Sequence, residues 1–323
     1  MIPWILARTR IAVIGAGAFG RNHVRVVKQC LRAELTGILD TDQTRSSTIA
    51  SEFGCCAFSS PAELIGKIDA AIVAVPTSAH AEVGCQLLEQ GIDVLVEKPI
   101  AADLSAARAL IDAAARNRRI LRVGHLERFN PGVIALKQIA KMPLFFEIHR
   151  LSLFSPRSLD VDVVLDLMIH DLDIVLDLVG TLPEEIRAAG LSILSDKVDI
   201  ANVRLAFPGG CIANLTASRV STERVRKLRL FQPHQYISLD YQRQDGAAFS
   251  VSGNRQIGFA PLAMTKDEPL RLEIEAFLDS VETRQPGPVS GEEGMRVLQV
   301  ALAIVGKIEE HTRIVAQQLK SLP

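Results

Sequence analysis

The stretch Arg10–Gly20, RIAVIGAGAFG, decides the fold. Its first half is a continuous run of mostly branched apolar residues, the pattern of a parallel strand buried on both faces. Its second half, Gly15-Ala16-Gly17-Ala18-Phe19-Gly20, fits G-x-G-x-x-G and passes into a helical pattern over Phe19–Cys30. Small residues there permit a tight turn and bring backbone N–H groups against a pyrophosphate at a helix N-terminus. Glu34–Asp40 (ELTGILD) reads as the next strand, and Asp40 ends it twenty residues past Gly20. A carboxylate at that distance accepts from a ribose 2′-hydroxyl and repels a 2′-phosphate. An incidental glycine turn beside a surface acid is the bland alternative, and the order strand, turn, helix, strand, acid argues against it. The expectation is a dinucleotide-binding unit that takes NAD rather than NADP.

Outward from that stretch the alternation continues. Gln43–Phe53 is helical, Ala70–Pro76 (AAIVAVP) is a strand, and Ala79–Gln90 is helical. Asp93–Glu97 (DVLVE) is a strand, Asp103 caps a helix through Ala115, and Ile120–Gly124 is one more strand. Strands alternating with helices predict an α/β, doubly wound parallel sheet of the Rossmann type over residues 1–124. After His125 the texture changes. Pro131–Ala140 and Val163–Leu178 are helical, but the strands Leu144–Phe154, Ile186–Leu194, Val198–Phe207, Cys211–Arg219, Arg224–Phe231 and Tyr236–Tyr241 follow with few helices between them. Pro208-Gly209-Gly210 marks a hairpin turn. Residues 125–323 are therefore expected to form an α+β domain with an open, mostly antiparallel sheet. Pro269–Thr283 and Gly291–Leu319 close the chain as amphipathic helices, the last able to pack back on the first domain.

Two domains suit a chain of 323 residues. Lys+Arg 36 against Asp+Glu 37 leaves a net charge of −1, without the positive field of a nucleic-acid or anionic-membrane binder. Aromatic residues at 5% are too few for base-stacking platforms. The five scattered cysteines, Cys30, Cys55, Cys56, Cys85 and Cys211, read as reduced thiols rather than a disulfide framework. The N-terminal Met1–Arg8 is too short and too soon charged for a signal peptide, and aspartates with His170 interrupt the longest apolar stretch. A cytoplasmic protein acting on small molecules is expected.

Two further groups carry chemistry. Glu97-Lys98-Pro99 ends a parallel strand, where ligands of open α/β sheets gather, and a lysine there stabilises alkoxide character on a hydroxyl losing hydride. Asp166 and His170 stand at i and i+4 of a helical segment, with Asp171 and Asp173 beside them, so the carboxylate is placed to support the imidazole. A satisfied core histidine among ordinary helix charges is the competing reading. Cysteines and histidines show no closely spaced set, so no metal site is expected.

Together, G-x-G-x-x-G, Asp40, Pro76-Thr77-Ser78-Ala79-His80, Glu97-Lys98-Pro99, Gly124-His125 and Asp166-x-x-x-His170 resemble the glucose–fructose oxidoreductase/inositol dehydrogenase/rhizopine catabolism (Gfo/Idh/MocA) family. Thr77 stands where asparagine is frequent, and the approach Ser158–Leu165 lacks the family's glycines. The resemblance implies a nicotinamide cofactor bound by Gly15, Gly17, Ala18, Phe19, Gly20, Asp40, Pro76, Thr77, His80, Glu97 and Lys98. It implies Lys98, Asp166 and His170 as the catalytic set, His170 being the acid/base, and a lysine–proline bond that is often cis. His125-Leu-Glu-Arg128-Phe-Asn130-Pro131 with Asp162–His170 is similar to the branch that oxidises the 3-hydroxyl of UDP-N-acetylglucosamine, where a partner aminotransferase then makes a 3-amino sugar for lipid A. On that resemblance Lys98, His125, Arg128, Asn130 and His170 contact substrate, and Arg219, Arg224, Arg226, Lys227 and Arg229 assist a diphosphate or form a solvated or oligomer face. A dehydrogenase of a free sugar, a cyclitol or another nucleotide sugar is the first alternative, and a non-catalytic NAD-binding sensor the second. A homodimer or homotetramer would cover the open sheet.

Overall fold

The computed structural model describes residues 8–154 and 161–320. The readings made on Met1–Ala7 and on Ser158–Asp160 lie outside the described residues. Strands β1 (Thr9–Ile14), β2 (Ala33–Leu39), β3 (Cys56–Phe58), β4 (Ala70–Val73), β5 (Asp93–Glu97) and β6 (Leu121–Gly124) form one parallel sheet in the order β3-β2-β1-β4-β5-β6. Helices α1 (Ala18–Gln29), α2 (Gln43–Phe53), α3 (His80–Glu89) and α4 (Leu104–Asn117) connect them. Asp42 and Asp103 start α2 and α4 by accepting from the amides of Arg45 and Ala106. The strand order reverses between β1 and β4, and such a switch point opens a ligand crevice at the carboxyl ends of the strands.

A second sheet has eight strands. They are β7 (Phe145–Leu153), β8 (Glu185–Leu191), β9 (Ile200–Ala206), β10 (Ile212–Ser221), β11 (Val225–Gln232), β12 (Gln235–Asp240), β13 (Asp245–Val251) and β14 (Ile257–Pro261), ordered β14-β13-β12-β11-β7-β10-β9-β8. Only β7 and β10 pair in parallel. Helices α5 (Pro131–Ile139) and α6 (Ile169–Val179) belong with this sheet's unit. Phe146, Ile148, Leu228, Leu230, Ile237 and Leu239 fill its buried face. On the other face Phe145, Phe231, Tyr236, Phe249 and Phe259 make a row of rings with neighbouring centroids 4.8–5.7 Å apart. Strands β3, β13 and β14 were not anticipated. Each lies at or next to a sheet edge, and β14 is exposed along its length, so no apolar alternation marks them.

Two helices complete the chain, α7 (Pro269–Thr283) and α8 (Gly291–Lys320). The compact units divide at Leu126/Glu127 rather than at 124/125, and Glu268–Leu298 returns to the first unit. The cause is the stripe Leu270, Ile274, Phe277 and Leu278 of α7, which shares one core with Val24 and Val27 of α1 and with Ile11 and Ile38 of the sheet. An apolar stripe shows that a helix is buried, not what it is buried against. Among the described residues no helix is long and apolar enough to cross a membrane.

Candidate active site

The glycine loop turns as its sequence requires. Gly15 has φ +106°, and a Cβ there would overlap the Ala74 carbonyl at the end of β4. A Cβ on Gly20 would run into the Gly15 carbonyl, so this glycine lets α1 lie directly on the loop. Gly17 caps α1 without a side-chain bond, and Gly17, Ala18 and Phe19 are exposed. The first amides of α1 therefore face open space with no acid in the first turn, an anion-binding terminus. Asp40 follows β2, its Oδ2 accepting from the Ala16 amide at 2.5 Å and its Oδ1 from the Asp42 amide at 2.8 Å. One carboxylate thus ties the glycine loop to the end of β2 and retains lone pairs for a ribose. These residues fit a dinucleotide.

The guanidinium of Arg45 stands 3.9 Å from Asp40 and 3.2 Å from Asp42. In Asp40→Ala the repelling charge is lost while Arg45 stays, and an arginine accommodates a 2′-phosphate. The expected result is weaker NAD binding and a preference over NADP narrowed by about 10- to 100-fold, the value of one charge-assisted bond. Titration calorimetry with both cofactors reads it; an unchanged ratio would show that Asp40 serves only the loop.

At the same edge, Pro76 is exposed and Thr77 half-buried in a single turn of 3₁₀ helix, Thr77–Ala79, before α3. His80 is buried, with Nδ1 2.9 Å from the Pro99 carbonyl and Nε2 3.0 Å from the Val75 carbonyl. Burial pushes its pKa down against the pull of those carbonyls and of Glu97. The ring thus staples the turn after β4 to the corner after β5 and addresses backbone rather than open space. The Lys98–Pro99 peptide is cis, and Lys98 is half-buried. Glu97 accepts from the Lys98 amide at 3.3 Å and meets the imidazole of His23 at 2.6 Å. Glu273 of α7 joins them: ligand-type atoms of His23, Glu97 and Glu273 all lie within 4.8 Å of one another. The sequence shows no closely spaced ligand set because these three come from distant parts of the chain. His125, directly after β6, is buried.

In the second unit, Asp166 and His170 are both half-buried at the start of α6. The helix does not begin as a regular α-helix: Val164–Met168 is a π-helical turn, wider than the i, i+4 spacing assumes. From Ile169 on, α6 is held from two sides. Asp171 takes both Nε and Nη2 of Arg150 at 2.8 and 2.9 Å, while Nη1 of Arg150 reaches Glu127 at 3.0 Å. Asp173 takes Nε and Nη2 of Arg128 at 2.8 and 2.6 Å, and Nη1 of Arg128 pairs with Asp177 at 2.8 Å. On a helix of 3.6 residues per turn, Asp171 lies about 100° to one side of His170 and Asp173 about 60° to the other. The two arginines fix the rotation of α6 about its axis, and with it the direction of His170.

This arrangement shows what two of the expected substrate contacts do within the protein. Arg128 is buried in the clamp on α6. Asn130 caps α5 by accepting from the Gly132 amide and donates to Glu127 and to the Tyr241 carbonyl. Both are engaged within the protein. Three residues of the basic run are likewise engaged within the protein: Arg219 is buried against the Val161 carbonyl, Arg226 lies 3.5 Å from Glu127, and Arg229 pairs with Glu147 at 2.9 Å. Side chains that satisfy buried carboxylates look the same in sequence as side chains that await a ligand.

The model of the oxidoreductase family's NAD-binding Rossmann fold matches residues 9–125, and the Gfo/Idh/MocA C-terminal domain model matches 152–233. The chain belongs to the Gfo/Idh/MocA oxidoreductase family. It is 36% identical over 309 residues to the UDP-N-acetylglucosamine 3-dehydrogenase of Acidithiobacillus ferrooxidans, covering 93% of this chain and 97% of that one. The solved structure of that protein superposes with a TM-score of 0.90 over 95% of this chain and 99% of that one, at 35% identity. The inositol 2-dehydrogenase of Rhizobium meliloti is more distant, 26% identical over 94% of this chain and 98% of its own. The chain is thus an NAD-binding dehydrogenase of the Gfo/Idh/MocA type, and Gly15, Gly17, Gly20 and Asp40 lie in its matched cofactor domain.

Proposed function

We propose that this Gfo/Idh/MocA protein oxidises a sugar ring hydroxyl to a ketone, and that its substrate is UDP-N-acetylglucosamine, oxidised at the 3-hydroxyl. What carries the reading is the 36% identity to a UDP-N-acetylglucosamine 3-dehydrogenase across nearly the whole of both chains, against 26% for an inositol dehydrogenase. In the proposed step NAD, when bound, accepts the hydride from the carbinol carbon. His170 takes the hydroxyl proton on its imidazole and later releases it to solvent. Lys98 donates to the same oxygen and stabilises its alkoxide character. Asp166 supports the imidazolium. His125 and Lys98 line the substrate side, whereas Arg128 and Asn130 are left out, because their polar atoms serve α5 and α6. Arg128→Ala is accordingly expected to lower the melting temperature rather than raise KM for the nucleotide sugar alone.

Oxidising a ring alcohol with NAD is uphill near neutral pH, so the 3-keto product needs a consuming step, and an aminotransferase is the reaction class that fits. The assay contains UDP-N-acetylglucosamine, NAD, an aminotransferase and its amino donor, with mass spectrometry of the sugar nucleotide. A 3-keto or 3-amino product is expected. Turnover confined to free sugars or inositols would overturn the reading in favour of a cyclitol or sugar dehydrogenase, and absence of turnover on all of them would favour a sensor. We also infer that the aromatic row on the open sheet is covered by a second copy of the chain, since apolar rings flanked by charges of both signs, such as Arg229 and Glu147, suit a self-complementary contact. The five free cysteines suit a reducing cytoplasm.

A further inference from the structure

Glu273 and His23 both break the pattern of the helices that carry them. Glu273 lies three residues after Leu270 and just before Ile274, on the stripe α7 buries, and is only 1% exposed. His23, between Gly20 and Val24 on the buried side of α1, is fully inaccessible. A carboxylate and an imidazole in such places are disfavoured unless they meet polar partners. Their shared neighbour is Glu97, whose Oε1 meets His23 Nε2 at 2.6 Å and whose Oε2 accepts from the Lys98 amide. Gly124 of β6 leaves the room for this carboxylate, since a Cβ there would stand 2.9 Å from Oε1. The ring of Phe19, within the glycine loop, sets its edge against His23 with centroids 5.3 Å apart. Helix α1, the end of β5 and helix α7 therefore converge on one buried carboxylate directly beneath the glycine loop.

We propose that His23 is a positioning residue for the reaction: it fixes the Glu97 carboxylate, with Glu273 packed beside the pair, and through the Lys98 amide that this carboxylate accepts it holds the corner Glu97-Lys98-Pro99. The inference rests on the reading above that places Lys98 beside the nicotinamide and the reacting oxygen. An unbraced corner leaves the Lys98 ammonium free to wander, and misplacement by about 1 Å is enough to lower turnover on the order of 100-fold. The direct bond between His23 and Glu97 distinguishes this trio from a metal site, in which an ion would separate the two.

The test compares His23→Leu, which fills the buried space without a donor, with His23→Gln, whose amide nitrogen falls near the place of Nε2. His23→Asn, which stays polar but ends short of Glu97, serves where the leucine variant does not fold. His23→Leu is expected to lower kcat on the order of 100-fold with KM for the nucleotide sugar held within about two-fold, and His23→Gln to recover most of the loss. His23→Asn is expected to lower kcat about as far as His23→Leu, because its shorter amide does not reach Glu97. Binding is followed with NADH and with ADP-ribose, which lacks the nicotinamide. The leucine variant should weaken NADH about 10-fold and leave ADP-ribose unchanged. Equal turnover of the leucine and glutamine variants, or parallel weakening of both ligands, would overturn the inference. So would one equivalent of a divalent metal in the purified wild type that His23→Leu loses. If the wild type itself leaves UDP-N-acetylglucosamine untouched, the substrate reading fails, and the comparison of NADH with ADP-ribose still decides the role of the trio.

Discussion

His170→Ala and Lys98→Met are each expected to lower kcat by about 10²–10⁴-fold while leaving the dissociation constant for NAD nearly unchanged. The reasoning starts from what the reaction needs. A hydroxyl that gives up hydride must also give up its proton, and the oxygen carries alkoxide character at the transition state. A group that takes the proton and a cation that meets the oxygen act mainly there, so their removal lowers kcat and kcat/KM together. Lys98 is suited by its place after β5, at the sheet edge shared with the glycine loop, and His170 by a helix whose rotation two arginines fix. NAD binding stays because Gly15, Gly17, Gly20 and Asp40 are untouched and the Glu97-Lys98-Pro99 corner keeps its bond to His23. Steady-state kinetics with cofactor titration check both parts. Turnover within a few-fold of wild type in either variant would remove that residue from the mechanism.

The parts legible in the sequence were those set by local chemistry. A glycine with φ +106° against a backbone carbonyl, a run of branched residues before it and an aspartate after the next strand leave few alternatives, and the parallel, doubly wound sheet follows from the alternation. The edge strand β14 and its neighbour β13 were missed because nothing buries their outer face. The return of α7 was missed because an amphipathic stripe names no partner, and Glu273 went with it. Its signal was present: an acid inside an apolar stripe, at Leu270, Glu273, Ile274 and Phe277, is either paired or misplaced. His23 carried the same signal in α1. Arg128 and Asn130 illustrate the opposite case, expected at substrate and engaged inside the second unit. Their types suit a nucleotide sugar, but Asp173 and Asp177, spaced i and i+4 on α6, were already the matching acceptors for an arginine. Counting the acids on neighbouring helices before assigning a cation to a ligand would have separated the two uses.

Arg150→Met is expected to destabilise the second unit by about 3–5 kcal/mol, the usual effect of removing one partner from a buried ion pair. Arg150 is 1% exposed, bidentate to Asp171 and bonded to Glu127, and its guanidinium lies over the Tyr241 ring at 5.4 Å. Burial opposes its charge, yet Asp171 and Glu127 hold its pKa above the ordinary arginine value. Without Arg150 two carboxylates are left in a site that excludes water, with Arg226 at 3.5 Å from Glu127 as the remaining cation. Asp171 has the larger deficit. Burial raises its pKa even with Arg150 beside it, and removal of Arg150 raises it further. A carboxyl whose folded pKa lies above its unfolded value stabilises fully below the unfolded value, and that contribution is lost as pH rises through the folded one. The deficit of Arg150→Met should therefore be smaller near pH 5 than near pH 8, in thermal melts followed by circular dichroism. The double variant Arg150→Met/Asp171→Leu removes charge and countercharge together and should regain most of the lost stability, because a packed apolar pair replaces a buried ionic one at little net change. It should not regain turnover. Helix α6 would then be clamped by Arg128 alone, and His170 would lose one of the two restraints on its direction. Full recovery of both stability and kcat in the double variant would reduce the Arg150–Asp171 pair to a filler of the core.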